Sequence, residues 1–294
     1  MGYELWTSRV TGRRRTGTRV AEIRRLFERD ISAASILEPV RSCPANAPAE
    51  DMRQHLKNRE FDIAGVKVQP DSELIGFVRR EELISGCVKE HLHRLEDQYL
   101  IADSTPLADT IKILAEKEFQ FVLVGSVVQG IVATADLNKP PVRIFLFALV
   151  SLLEMHLAFW VRRAYEDDAW HAELSDNRFQ AATKQLNERK SRNNDITLLS
   201  CLQFCDKRDL FLRSKEIREK LGVKSRKAAD QMLKRAEGLR NHLAHSQYDL
   251  AAETSWKEIA GTVANIEQLL KNSDEIIEKD ALAKRSEKPE VLWE

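Results

Sequence analysis

Between Ala236 and Ser246 the chain reads Ala-Glu-Gly-Leu-Arg-Asn-His-Leu-Ala-His-Ser, which crowds an arginine, an asparagine and two histidines onto one short segment. A titratable imidazole (His245), a permanent cation (Arg240) and an amide (Asn241) are the groups that cleavage of an RNA phosphodiester by its own 2′-hydroxyl requires. Histidine supplies a proton-transfer group near neutral pH, and the forked guanidinium stabilises charge on phosphoryl oxygens. That chemistry needs no metal.

Other residues would assist. Glu154 stands in the middle of a long apolar stretch, either as the internal ion-pair partner of an arginine or as a carboxylate that orients His245. His242 reads as a packing or interface residue. A basic run (Lys184, Arg189, Lys190, Arg192) and a second cluster (Lys224, Arg226, Lys227, Lys234, Arg235) offer a path for an RNA backbone, with Lys190, Arg192 and Lys234 as the chosen contacts. Charge runs of this kind most often mark a solvated face.

The elements that hold these residues follow from periodicity. From Val142 onward there is almost no strand pattern, and helices are expected over 142–165, 169–189, 194–207, 214–221, 225–245 and 253–279. In the fifth of these, Met232, Ala236, Leu239 and Leu243 form an apolar stripe, which places Asn241 and His245 on the opposite, outward face with Arg240 on its shoulder.

The first half repeats itself at a spacing of about 54 to 58 residues. Each copy has a helical stretch opened near a proline (Pro48, Pro106) and a strand beginning near Phe61 or Phe119. A second strand broken by one glycine follows, Leu74-Ile75-Gly76-Phe77-Val78 and Val128-Gln129-Gly130-Ile131-Val132. Pro140-Pro141 marks the boundary between the two halves. The resulting layout is a tail at 1–17, an α/β repeat domain at 18–140, an all-α bundle at 141–280 and a charged, loosely ordered tail at 281–294.

The repeat region resembles a CBS-domain pair, most specifically at Gly130-Ile131-Val132-Ala133-Thr134-Ala135-Asp136-Leu137, which is similar to that family's G-h-h-[ST]-x-x-D segment. The resemblance implies an adenine-nucleotide cleft in which Asp136 holds the ribose hydroxyls, with Thr134 and Gly130 beside it. Ala133 stands where the family has a hydroxyl, and the other copy places Arg79 and Glu82 at the equivalent positions, so one of two clefts is equipped.

Arg240-Asn241-His242-Leu243-Ala244-His245 resembles the R-N-x-x-x-H signature of the HEPN family of helical, ribonuclease-like domains. That resemblance covers about residues 142–280 and implies a homodimer in which two motifs meet in one composite site. It also implies an RNA substrate, products with a 2′,3′-cyclic phosphate and a 5′-hydroxyl, and a setting in stress response or, as a toxin, defence against phage. Together the two resemblances describe an endoribonuclease whose activity an adenine nucleotide (AMP, ADP or ATP) regulates, with no cofactor needed for catalysis.

Composition narrows the alternatives. Lysine plus arginine (46) balances aspartate plus glutamate (46) over 294 residues, which argues against a general nucleic-acid coat protein and leaves binding to a local patch. The four cysteines, Cys43, Cys87, Cys201 and Cys205, include no C-x-x-C pair and read as reduced cytoplasmic thiols. Arg13-Arg14-Arg15 is not followed by the apolar run a secretory signal needs. The apolar run Ile144–Val161 approaches a membrane span in length, but Glu154 and His156 at its middle make it a buried bundle helix. No metal-ligand spacing, phosphate-binding P-loop or nucleophile elbow is present. Two rival readings remain: a non-catalytic nucleotide-binding regulator that uses the Arg240 helix as a dimer contact, and a DNA-binding regulator in which Ser214–Val223 and the following helix form a helix-turn-helix.

Overall fold

The computed structural model describes residues 16–192, 196–245 and 248–284, apart from the side chains of 27–30, 166 and 282–284. The chain divides into two compact units. One is Phe27–Val142; the other joins the described residues 16–26 to the chain from Arg143 onward.

In the first unit the strand β1 (Glu38–Pro39) precedes two copies of one pattern. The first copy is β2 (Ser42–Pro44), a helix Ala49–Asn58, β3 (Ile63–Lys67) and β4 (Leu74–Arg79); the second is β5 (Leu100–Ala102), a helix Leu107–Leu114, β6 (Phe119–Val124) and β7 (Val127–Ala133). Each outer strand runs parallel to the central one, β2 to β3 and β5 to β6, and each central strand pairs antiparallel with the next. Even the irregularities repeat: the register shifts between Val66 and Lys67 in one sheet and between Val122 and Leu123 in the other. The expected repeat and its α/β character are therefore present in the backbone.

The copies exchange their leading segments. β1 lies antiparallel on β7, with Glu38 opposite Ile131, and His93, which precedes the second copy, forms the matching bridge to Phe77 of β4. Val88 N–H donates to Ala47 O at 3.0 Å, and Ala33 N–H donates to Thr105 O at 2.9 Å, so each leader also closes the helix entry of the other copy. The glycine within each second strand follows from this exchange. A Cβ on Gly76 would lie 2.3 Å from His93 O, and one on Gly130 would lie 2.8 Å from Leu37 Cδ1 and 3.2 Å from Glu38 O. The copies also share an aromatic core, in which Phe77 meets Tyr99, Phe121 and Phe119 at ring separations of 5.0, 5.3 and 5.5 Å.

The second unit is helical. With α1 (Val20–Asp30) and the two helices above taken as α2 and α3, it comprises α4 (Pro140–Ala164), α5 (Asp176–Lys190), α6 (Phe204–Arg213), α7 (Lys215–Lys220), α8 (Arg226–Ala244) and α9 (Trp256–Lys284). Pro140 and Pro141 do not merely end the repeat region. They open α4, because the first turn of a helix has no intrahelical use for the missing N–H groups. Leu146, Leu149, Leu153, Leu157 and Trp160 bury one side of α4, while Ile144, Phe147 and Met155 are exposed on the other. By length and composition α4 could cross a membrane, and 56% of its most apolar window is buried inside the protein.

Several expected boundaries move. Residues 18–26 belong to the helical unit, not to the repeats, because α1 is tied to α9: Arg19 Nη2 lies 2.7 Å from Glu278 Oε2, Val20 N–H donates to Asp274 Oδ2 at 2.8 Å, and Arg24 pairs with Glu267 at 3.3 Å. Of the helix read as 194–207, residues 194 and 195 lie outside the described residues, and the rest is a short 3-10 turn, Leu198–Cys201, and then α6, whose start is fixed where Gln203 N–H donates to Asp206 Oδ2. The stretch 169–175 is a 3-10 segment and break before α5. Residues 281–284, assigned to a loose tail, complete α9 with Ala281 buried. The rest of that tail and the basic run Arg13–Arg15 lie outside the described residues.

Candidate functional site

α8 carries the arginine and histidine motif. Ser225 caps its start by accepting from Ala228 N–H at 3.2 Å, and it ends at Ala244, with His245 at the C-cap donating its N–H to Asn241 O at 3.0 Å. Its inward stripe is Ala229, Leu233, Ala236 and Leu239, so the stripe runs through Leu233 where the sequence reading had placed Met232. That rotation matters for Arg240. Seven residues after Leu233, it returns to nearly the same azimuth two turns later. Arg240 is therefore half-buried on the packed side and not on the shoulder of the outward face.

His245 is exposed, as its spacing predicted, and Asn241 is half-buried between it and the core. Arg240 Nη1 donates to Asn241 Oδ1 at 3.3 Å, which ties the guanidinium to the neighbouring amide. At about 100° per residue, Arg240 and His245 leave α8 about 140° apart.

α8 is held in place by α6. Arg208 contacts Glu237 and Asp209, with Asp230 at 3.8 Å. Burial opposes the charge of Arg208, but these three carboxylates outweigh it and raise its pKa above the ordinary arginine value. The network fixes α8 one turn before Arg240.

Glu154 turns out to be an ion-pair residue. Its Oε1 accepts from Lys207 Nζ at 2.6 Å, with the lysine side chain 7% and the carboxylate 23% exposed. The partner is a lysine of α6 where an arginine was expected, and among the described contacts Glu154 makes none with His245. His242 Nε2 lies 3.5 Å from Glu253 Oε2. Lys190 and Arg192 are exposed at the end of α5, and Lys234 is exposed but paired to Asp230 at 2.8 Å. Of the helix-turn-helix reading, the structure places α7 and α8 in sequence around Gly222, with the middle of α8 already committed to the core.

In the repeat unit, Asp136 is buried, accepts from Ala133 N–H at 2.7 Å and pairs with Lys139 at 2.8 Å. Lys139 also contacts Glu38 and donates to Ile36 O at 2.6 Å. In the other copy the equivalent carboxylate, Glu82, is engaged by His93, whose register position matches that of Glu38. Gly130 is filled over by Leu37 and Glu38 and serves strand packing, and Thr134 spends its N–H on Glu118 O at 3.2 Å.

Sequence reasoning passed over two residues near the motif. Tyr248, three residues beyond His245, is 91% exposed, and its carbonyl is held by Arg143 Nη2 at 2.7 Å. Glu253 faces His242. Both sit in the stretch between α8 and α9 that has no periodicity to draw attention to them.

No family model and no curated protein matches the chain. It is similar to solved structures. One is the CBS-pair protein CBSX2 from Arabidopsis thaliana, at 14% identity and TM-score 0.34, covering 38% of this chain and 95% of that one. A second is an uncharacterized conserved protein from Pyrococcus horikoshii, at 13% identity and TM-score 0.32, covering 36% and 88%. A third is the CBS domain of a bacterial CNNM/CorC family Mg2+ transporter in complex with ATP, at 14% identity and TM-score 0.33, covering 40% and 90%.

Proposed function

We propose that the chain is a cytoplasmic endoribonuclease of HEPN type that acts as a homodimer, with a CBS-like repeat unit that takes an adenine nucleotide and regulates it. The observation that carries this reading is the state of the motif on α8. His245 is exposed at the helix end, while Arg240 is half-buried and tied to Asn241. Side chains that diverge by about 140° from one helix serve a single phosphate poorly. Two copies facing each other across the ends of α8 bring four such groups to one strand.

In this mechanism His245 accepts the proton of the attacking 2′-hydroxyl or delivers one to the 5′-oxygen leaving group, and Arg240 stabilises the charge gathered on the phosphoryl oxygens. Asn241 fixes the guanidinium of Arg240. Tyr248 offers an exposed ring on which a base can stack. In the repeat unit Asp136 is the ribose-binding group, and a nucleotide must take it from Lys139.

The products test the chemistry. Total RNA incubated with the protein in EDTA is expected to yield fragments with a 2′,3′-cyclic phosphate and a 5′-hydroxyl. Fragments with 5′-phosphates, or cleavage abolished by the chelator, refute the proposed reaction.

A further inference from the structure

The face of α8 that carries His245 also carries Gly238, two turns earlier. Around Gly238 the start of α9 and the preceding segment enclose an open cleft of about 340 Å³. Its apolar lining comes from Leu239, Leu250 and Ile259, and its polar edge from His242, Glu253 and Glu258. Glycine inside a helix weakens it relative to alanine. Among the described residues nothing accounts for the missing side chain, because a Cβ on Gly238 would meet no atom of theirs within 4 Å. The bare backbone leaves a flat floor against which a planar group can lie.

The two carboxylates are unequal. Glu258 is anchored, accepting from Thr254 Oγ1 at 2.7 Å and facing Arg235 Nη2 at 3.7 Å. Among the described residues Glu253 has one loose neighbour, His242 at 3.5 Å, and its side chain is 72% exposed, so its acceptor oxygens are open to a ligand. A planar ligand with two adjacent N–H donors on one edge fits a carboxylate above an apolar floor. Of the four RNA bases only guanine offers that edge, through N1–H and the N2 amine. His245 stands seven residues beyond Gly238, about 10 Å along the helix axis and on the same side, which is the reach of a neighbouring nucleotide.

We infer that this cleft is a guanine subsite for the RNA strand that passes His245, with the base lying on Gly238 and its Watson–Crick edge donating to Glu253. The inference rests on the ribonuclease reading for its place in the reaction, but its recognition chemistry can be tested apart from cleavage.

The probe is a fluorescent single-stranded oligonucleotide with 2′-deoxyribose throughout, which no 2′-hydroxyl attack can cut. It carries one guanine in a run of uracils and is compared with inosine and adenine versions by anisotropy on the full chain. Wild type is expected to bind the guanine strand roughly tenfold more tightly than the inosine strand, which lacks the N2 amine. Glu253→Gln and Gly238→Leu are expected to erase that difference, and His245→Ala to keep it. Equal Kd values for the three strands in wild type, or a guanine preference that survives Glu253→Gln, overturn the subsite. Guanine preference without cleavage of matching RNA upholds the subsite and refutes the ribonuclease; cleavage without guanine preference does the reverse.

Discussion

Lys139 Nζ lies 2.8 Å from Asp136 Oδ1, so the carboxylate expected to hold a ribose is neutralised from within its own repeat. In the other copy the equivalent carboxylate, Glu82, is met instead by His93 from the exchanged leading segment. A nucleotide entering beside Asp136 must displace an ammonium that also serves Glu38 and the carbonyl of Ile36. Replacing Lys139 with methionine is expected to strengthen AMP or ATP binding about tenfold in calorimetry, at a cost of about 1–3 kcal/mol in stability for the carboxylate left unpaired. Unchanged affinity argues against Asp136 as the ribose group.

The same pair sets a pH dependence. Burial disfavours the charged Lys139, but Asp136 and Glu38 together outweigh it and raise its pKa above 10.5. A raised pKa in the folded state means that the stabilisation is complete below the unfolded value and disappears as pH climbs through the folded one. Wild type should therefore lose more stability than Lys139→Met as pH climbs above about 10.5, as read from denaturation midpoints.

Glu154 and Lys207 make a second test, because the pair is mostly buried and the sequence alone allowed Glu154 a catalytic part. Lys207→Met is expected to destabilise the helical unit by about 2–4 kcal/mol, since it leaves a carboxylate without its cation. Lys207→Met combined with Glu154→Gln is expected to recover part of that loss. RNA cleavage by Glu154→Gln, measured well below its melting temperature, should stay within about threefold of wild type. A drop of a hundredfold with stability intact would place Glu154 in the reaction.

Gly76 and Gly130 occupy equivalent places, yet they differ in what a methyl group would meet. At Gly76 the nearest atom is a backbone oxygen at 2.3 Å; at Gly130 it is a leucine methyl at 2.8 Å, the far end of a side chain that can turn. Gly76→Ala is expected to cost about 3 kcal/mol and Gly130→Ala about 1 kcal/mol, by thermal or urea denaturation. Equal effects would mean that the exchanged leaders do not hold the strands as described.

The repeat was legible because β-formers with a central glycine recur at a fixed interval, and the glycines are there for the exchange itself. The exchanged leaders were not. β1 has two residues, Glu38 and Pro39, too few to show a period, and its partner segment at His93 makes a single bridge. The docking of α1 was equally hidden, since it rests on polar ties from Arg19, Val20 and Arg24 to residues far along the chain.

In the candidate site, the outward position of His245 followed from helical spacing, while the half-burial of Arg240 did not. Choosing Met232 over Leu233 in the inward stripe turned the inward face of the helix by about 35°, enough to misplace a side chain that a two-turn interval puts over Leu233. The partner of Glu154 was out of reach for a different reason. Lys207 sits in α6, whose start depends on a cap at Gln203 and Asp206 that the apolar pattern of residues 194–207 obscured.

The most direct test is a comparison of wild type, His245→Ala and Arg240→Ala on total RNA in EDTA, with and without ATP or AMP. Each variant is to be checked first for an unchanged melting temperature and dimer content. Cleavage by wild type that falls at least a hundredfold in both variants, and changes with nucleotide only when Asp136 is intact, is the expected result. Cleavage retained in both variants would put the active site elsewhere, and no cleavage by wild type under any nucleotide would make the α8 motif a binding or dimer contact and the chain a regulator without catalysis.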